Sequence, residues 1–439
     1  MKCWFLKRAV GWGIILLLLV RGGLFAQEKS DLYQKLVSQP EFISVQKIDP
    51  HPFFSEAYEI LVDQYLDHGN PAAGKFIQRI ILSIYNPYSP VVLVTEGYDA
   101  KRSAVDSYIN ELSKIVEANQ LVVEHRYFGK SMPETVNWDY LTVQNASMDL
   151  HRIYRIFGRL FNNNNKWIAT GISKGGQMTL AYKAFFPDDM DIWIPYVAPN
   201  CFSVEDKRFD RFFQTVGKKV CREKIESFQK AVLSRRDSIQ PLLDSLIAVR
   251  NYTFQLTPDA VLDYCVLEYA FSFWQWGYYC ANIPPDTASY RALFEHLAEV
   301  CDPDYFSREE TRPMQAFFVQ AAREIGYYPY NTKILAPYLS VSNTKDYLAQ
   351  IFLPEGLSYK FSPDVSKLIE KTVNRDGDHI LLIYGENDPW TAASVKVSRG
   401  SEAVKMVIPN ASHRVRIKNM TYAQQAKIYM LLETWLEED

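Results

Sequence analysis

One stretch constrains the fold of this chain more than any other. Residues 166–176 read Lys-Trp-Ile-Ala-Thr-Gly-Ile-Ser-Lys-Gly-Gly. An apolar run, Trp167 to Ala169, leads into Gly171-Ile172-Ser173-Lys174-Gly175, the G-x-S-x-G pattern, and helical sequence follows. A serine nucleophile needs this context: a strained strand-to-helix turn that lifts its Oγ above a sheet. The flanking glycines are required because so tight a turn leaves no room for Cβ atoms. The N–H of Lys174, next in the chain, can then face the reaction centre as one oxyanion donor.

The surrounding pattern agrees with a sheet of this kind. Tyr58 to Tyr65 and Phe76 to Tyr85 alternate and predict an antiparallel start. Val91 to Val94 is short and wholly apolar, as expected of a strand buried on both faces. Val105 to Ala118 has helical periodicity, with Ile109, Leu112, Ile115 and Val116 on one side. Gln120 to Glu124 predicts a strand, Ala146 to Phe161 a helix, Gly175 to Phe185 the helix after the serine, and Ile192 to Val197 a further strand. Strands alternating with helices of this length imply a parallel sheet wrapped by helices. From about Cys201 to Arg375 the period is mostly helical. Strand signals resume at His379 to Tyr384 and Val404 to Ile408, and Tyr422 to Leu436 predicts a last helix. The expected architecture is an α/β-hydrolase fold with a large helical cap inserted between core strands. Its boundaries are a core over 27–200 and 376–439 and a cap over 201–375, a cap of ordinary domain size.

A serine nucleophile needs an acid and a base, which in this fold follow in the order Ser, Asp or Glu, His on loops after later strands. After Leu381 to Tyr384 comes Gly-Glu-Asn-Asp-Pro-Trp, which places Asp388 just past a strand end. After Met406 to Ile408 comes Pro-Asn-Ala-Ser-His, which places His413 likewise. His125, His296 and His379 fit this order worse, and Glu386 is the rival acid. The loop Thr95-Glu96-Gly97-Tyr98-Asp99 follows the third core strand. There Gly97 lets backbone approach a ligand, and Tyr98 N–H is the expected second oxyanion donor.

The first residues read as an export signal over 1–26. Lys2, Lys7 and Arg8 precede an apolar core, Ala9 to Val20, too short to span a bilayer comfortably. Export implies a periplasmic or extracellular protein. The remainder, about 410 residues, is long for one compact core. The net charge of −3 gives no support for nucleic-acid or anionic-membrane binding. No segment after the start has the length of a membrane span. Five cysteines follow the signal, so at least one is unpaired within the chain; Cys201 with Cys221 is the preferred pair. No histidine or cysteine spacing suggests a metal, and nothing calls for a cofactor.

Three motifs together resemble one family: Glu124 to Pro133 (Glu-His-Arg-Tyr-Phe-Gly-Lys-Ser-Met-Pro), the elbow Gly-Ile-Ser-Lys-Gly-Gly, and Asp388-Pro389-Trp390. Ile194 to Pro199 is similar too. The chain resembles the secreted bacterial tripeptidyl and prolyl tri-/tetrapeptidyl aminopeptidases, relatives of lysosomal Pro-X carboxypeptidase and dipeptidyl peptidase II. The resemblance spans nearly the whole chain after the signal. It implies a serine exopeptidase acting on peptides or short polypeptides, with Ser173 acylated, His413 as base then acid, and Asp388 orienting His413. An aminopeptidase must also hold an ammonium group. Glu268, in an aromatic-rich segment, is the first candidate for it, with Glu96 and Asp139 weaker. Trp274 and Trp390 are among the aromatic residues available for a pocket wall. Glu124 and Arg126 are expected to pair beneath the active-site loop. Two alternatives use the same scaffold. An esterase or lipase would call for a His-Gly-Gly-Gly oxyanion loop, which is absent. A non-catalytic binding protein would have little reason to keep Ser173, Asp388 and His413 together.

Overall fold

A computed structural model of the chain describes residues 31–161 and 165–438; the expected export signal at 1–26 lies outside them. Nine strands form one sheet: β1 Phe42–Ile48, β2 Glu56–Tyr65, β3 Lys75–Ile84, β4 Val91–Thr95, β5 Asn119–Val123, β6 Trp167–Ile172, β7 Ile192–Tyr196, β8 Leu381–Gly385 and β9 Val404–Ile408. Their order is β1-β2-β3-β5-β4-β6-β7-β8-β9. β1 to β3 are antiparallel to one another and β3 is antiparallel to β5; from β5 to β9 every pairing is parallel.

The parallel strands are apolar on both faces because both faces are covered. Successive residues of β4 divide between two cores: Val91 and Leu93 join one cluster, Val92 and Val94 the other. The larger cluster continues through the Val143–Leu160 and Lys174–Phe185 helices into the helical segment after β7; the smaller one is closed by the C-terminal helix, Tyr422–Glu437. Between β7 and β8 no strand is found among the described residues. The chain there is a series of helices, the longest of them Pro258–Trp276. This is the α/β-hydrolase architecture expected from the sequence.

Three expectations are corrected. The helix predicted over 105–118 is confined to Glu111–Ile115, because Asn110 caps a fresh N-terminus there by accepting from Leu112 N–H, and Glu117 turns to φ +50° and stops it. Glu124 does not pair with Arg126. The register that sets Ile80 opposite Val123 brings Arg79 across from Glu124, and the two form a buried ion pair. Arg126 turns instead to Asp149, which it holds through Nε at 2.7 Å and Nη2 at 2.8 Å. Cys201 is not joined to Cys221. All five cysteines among the described residues are free thiols; Cys221 neighbours Cys280 and Cys301 neighbours Cys265, each neighbour helping to push the thiol up, while Cys201 is a buried thiol apart from both.

Candidate active site

Ser173 ends β6 and opens the Lys174–Phe185 helix with φ +59° and ψ −122°. A non-glycine residue takes so sparsely populated a conformation only where its surroundings impose it. Here they do. Ser173 N–H is donated to Tyr196 O at 2.9 Å. A Cβ on Gly171 would lie 2.4 Å from the Gly175 carbonyl, and one on Gly175 would lie 2.4 Å from Thr95 O. The two glycines therefore let the helix start sit directly on β4 and β6. Ser173 itself is half-buried.

Asp388 and His413 follow β8 and β9 and meet each other. His413 Nδ1 lies 2.7 Å from Asp388 Oδ2, with Asp388 fully buried and His413 only 5 % exposed. The other carboxylate oxygen accepts from Trp390 N–H at 3.1 Å, so Asp388 also caps the turn that follows it. His413 N–H is donated to Gln275 O at 3.0 Å, and the Trp276 ring stands edge-on to the imidazole with centroids 6.0 Å apart. His413 is thus fixed on one side by the sheet and on the other by the Pro258–Trp276 helix.

The loop after β4 packs on the elbow. A Cβ on Gly97 would lie 2.7 Å from both Gly175 N and Lys174 Cβ. Tyr98 O accepts from His125 N–H at 3.2 Å. Behind this loop, Glu124 acts as a hub. It takes the Arg79 guanidinium, Ala100 N–H at 2.8 Å, and Ser131 N–H and Oγ–H at 2.9 Å each. The Glu124 to Pro133 motif therefore positions the loop, and its Phe128 ring lies against the Lys174 amine of the elbow, 5.1 Å from Nζ to the ring centroid. Glu96 is half-buried beside Ser103, and desolvation, reinforced by Asp99 and Glu124, pushes its carboxyl up to about 7.

Glu268 is buried in the Pro258–Trp276 helix. Its carboxylate accepts from Ser272 Oγ at 3.0 Å, Tyr328 OH at 2.9 Å and Tyr330 OH at 2.7 Å. No cationic side chain of the described residues pairs with it. Desolvation pushes its carboxyl up to about 7, against the three hydroxyls that lower it. Tyr328 and Tyr330 also line a cavity of about 630 Å³, with Phe271 and Trp274. Phe271 stacks on Tyr328 at 3.7 Å, and both meet the edge of Trp390, two residues beyond Asp388. Trp274 lines this cavity; Glu268 lies behind it, held by Tyr328 and Tyr330 of its lining, and Trp390 touches the lining residues Phe271 and Tyr328. Asp139 lies apart, exposed and paired with Arg323. Sequence reasoning missed Tyr328, Tyr330 and Gln275. Only the Glu268–Ser272 contact, four residues apart on a helix, carried a local signal.

The sheet order and the strained turn after β6 define an α/β-hydrolase. The particular family follows from comparison with known proteins. Residues 26–437 match the family described as PS-10 peptidase S37, and the chain belongs to it. It is a serine peptidase. It is 28% identical over 422 residues to prolyl tri/tetrapeptidyl aminopeptidase of Streptomyces mobaraensis, covering 93% of this chain and 85% of that protein. A shorter match, 28% over 152 residues and 31% of each chain, is to a probable serine protease, EDA2, of Arabidopsis thaliana. Among solved structures, the peroxisomal α/β-hydrolase Lpx1 of Saccharomyces cerevisiae aligns with a TM-score of 0.39 at 11% identity, over 89% of this chain and 92% of that one.

Proposed function

We propose that this peptidase is an exported aminopeptidase that releases short peptides from free N-termini, tripeptides foremost and proline before the cut among the candidates. Ser173 attacks the scissile carbonyl. His413 takes its proton and returns it to the leaving amine, and Asp388 holds the imidazole in the required tautomer and stabilises its charged form. The N–H groups of Lys174 and Tyr98, beside Gly97, receive the oxyanion. Glu268 receives the substrate ammonium at the closed end of the cleft. A cation there would restore charge to a carboxyl that burial disfavours. Trp274 and Trp390 wall the pocket between Glu268 and the triad. The helical segment 201–375 is the cap that limits access to chain ends, and residues 1–26 direct export to the periplasm or medium.

The observation that carries this reading is the buried 2.7 Å pair of His413 and Asp388 in a chain whose elbow holds Ser173 in a strained turn. Its test compares free-amine and N-blocked Ala-Ala-Pro fluorogenic tripeptides beside a Ser173→Ala control. Cleavage of the free-amine form alone, lost in the control, supports it. Cleavage of neither, with short-chain esters hydrolysed instead, overturns the peptide specificity and leaves an esterase on the same residues.

A further inference from the structure

The elbow lysine raises a question that its backbone role does not answer. The Lys174 side chain is 2 % exposed and has no carboxylate within ion-pair distance among the described residues. Its Nζ donates to Gly97 O at 2.6 Å and lies 5.6 Å and 5.1 Å from the ring centroids of Tyr98 and Phe128. Burial pushes the amine well below its usual range. A shorter apolar side chain would fill this place without the cost of desolvating an amine. The contact it makes explains why one is there.

The Gly97 carbonyl and the Tyr98 N–H belong to one planar trans peptide, so they point from opposite edges. Holding the carbonyl on the buried amine turns the N–H away from it. The next peptide is also held, by His125 N–H on Tyr98 O. Among the described residues neither Tyr98 N–H nor Lys174 N–H has a protein acceptor. We propose that the Lys174 amine is a positioning residue that, through the Gly97 carbonyl, orients the Tyr98 N–H as an oxyanion donor. One residue then serves both halves of the oxyanion site, its own N–H directly and Tyr98 N–H through its side chain. This rests on the serine-peptidase roles proposed for Ser173 and Tyr98.

Lys174→Met keeps the length of the side chain and removes the donor. The expected result is a fall in kcat of about 100-fold, toward the loss of an oxyanion donor, with KM nearly unchanged. A peptide boronate that mimics the tetrahedral adduct should lose affinity by a similar factor, and a cleavage-product tripeptide should lose none. A folded Lys174→Met variant with unchanged kcat overturns the proposal, as does equal weakening of boronate and product. A Ser173→Ala control separates the two readings. If that control stays active the serine assignment itself fails; if it is dead while Lys174→Met is fully active, only the positioning role fails. Should Lys174→Met not fold, replacing the Tyr98 backbone N–H by an ester oxygen leaves the lysine contact in place. Unchanged kcat in that variant overturns the proposal.

Discussion

The backbone N–H of His413 is donated to the carbonyl of Gln275, 3.0 Å away, so the loop carrying this histidine is held by a helix inserted between β7 and β8. Two residues on, Gly277 closes that helix with φ +73°, where a Cβ would come within 2.9 Å of Ser412 Oγ. Gly277→Ala should therefore act twice. The left-handed C-terminus costs about 1 kcal/mol, read by urea titration. The push on Ser412 moves its neighbour His413, so kcat should fall more than the stability loss alone explains. A stability loss with unchanged kcat would show that the loop absorbs the shift.

Asp388→Asn separates orientation from capping. An asparagine keeps an oxygen for Trp390 N–H and so preserves the turn. Toward His413 it offers an amide or a neutral oxygen, which favours the wrong tautomer. The expected outcome is a native thermal transition with kcat reduced about 10⁴-fold.

Glu268 makes stability depend on pH in an unusual direction for a carboxyl. Its folded pKa of about 7 is above the ordinary value of 4.5, so between these limits the folded state binds more protons than the unfolded one. Stability then falls as pH rises through that window, by on the order of 3 kcal/mol when the shift is converted. Glu268→Gln should flatten this part of the curve, and Glu96, shifted the same way, should keep its own share. Urea midpoints of both proteins at pH 4.5 and pH 7 decide it. If Glu268 also holds the ammonium, the same variant raises KM for free-amine peptides.

Arg126 spends all its donors inside the protein. Beyond Asp149 it reaches the carbonyls of Tyr65, Leu66 and Tyr140 at 2.7–3.0 Å. Arg126→Met should cost about 3–5 kcal/mol in chemical denaturation, because Asp149 is left buried with only His68 beside it. A loss below about 1 kcal/mol would show that the buried pair does not hold this part of the fold.

The thiol contacts predict the oxidised form. With dioxygen or a disulfide-exchange catalyst as oxidant, Cys221 should join Cys280 and Cys265 should join Cys301. A non-reducing peptide map would then find Cys201 as the one thiol beyond residue 26 alkylated after denaturation. A Cys201–Cys221 peptide would contradict it.

Much of this was legible in the sequence because the parallel strands are short, apolar and followed by motif loops. β4 and β9 fall where Val91–Val94 and Val404–Ile408 announced them, and β8 begins two residues inside the expected His379–Tyr384. What failed depended on partners distant in sequence. The Arg79–Glu124 pair is fixed by strand register, which periodicity does not encode. The donors to Glu268 at Tyr328 and Tyr330 come from a segment some 60 residues on. β1 was missed because its burial pattern, with only every third residue half-buried, lacks the alternation of a strand with one core face. The short Glu111–Ile115 helix was overextended because the apolar periodicity continues through residues that Asn110 excludes.

The order of the sheet has a consequence for synthesis. Ser173 leaves the ribosome with β6, whereas Asp388 and His413 follow β8 and β9. If Ser173 is the nucleophile proposed above, a nascent chain carries it with no means of activation until those last strands have paired. On the roles proposed for these residues, proteolytic power would arrive only with completion of the sheet, and a truncated or stalled translation product would be silent toward its neighbours.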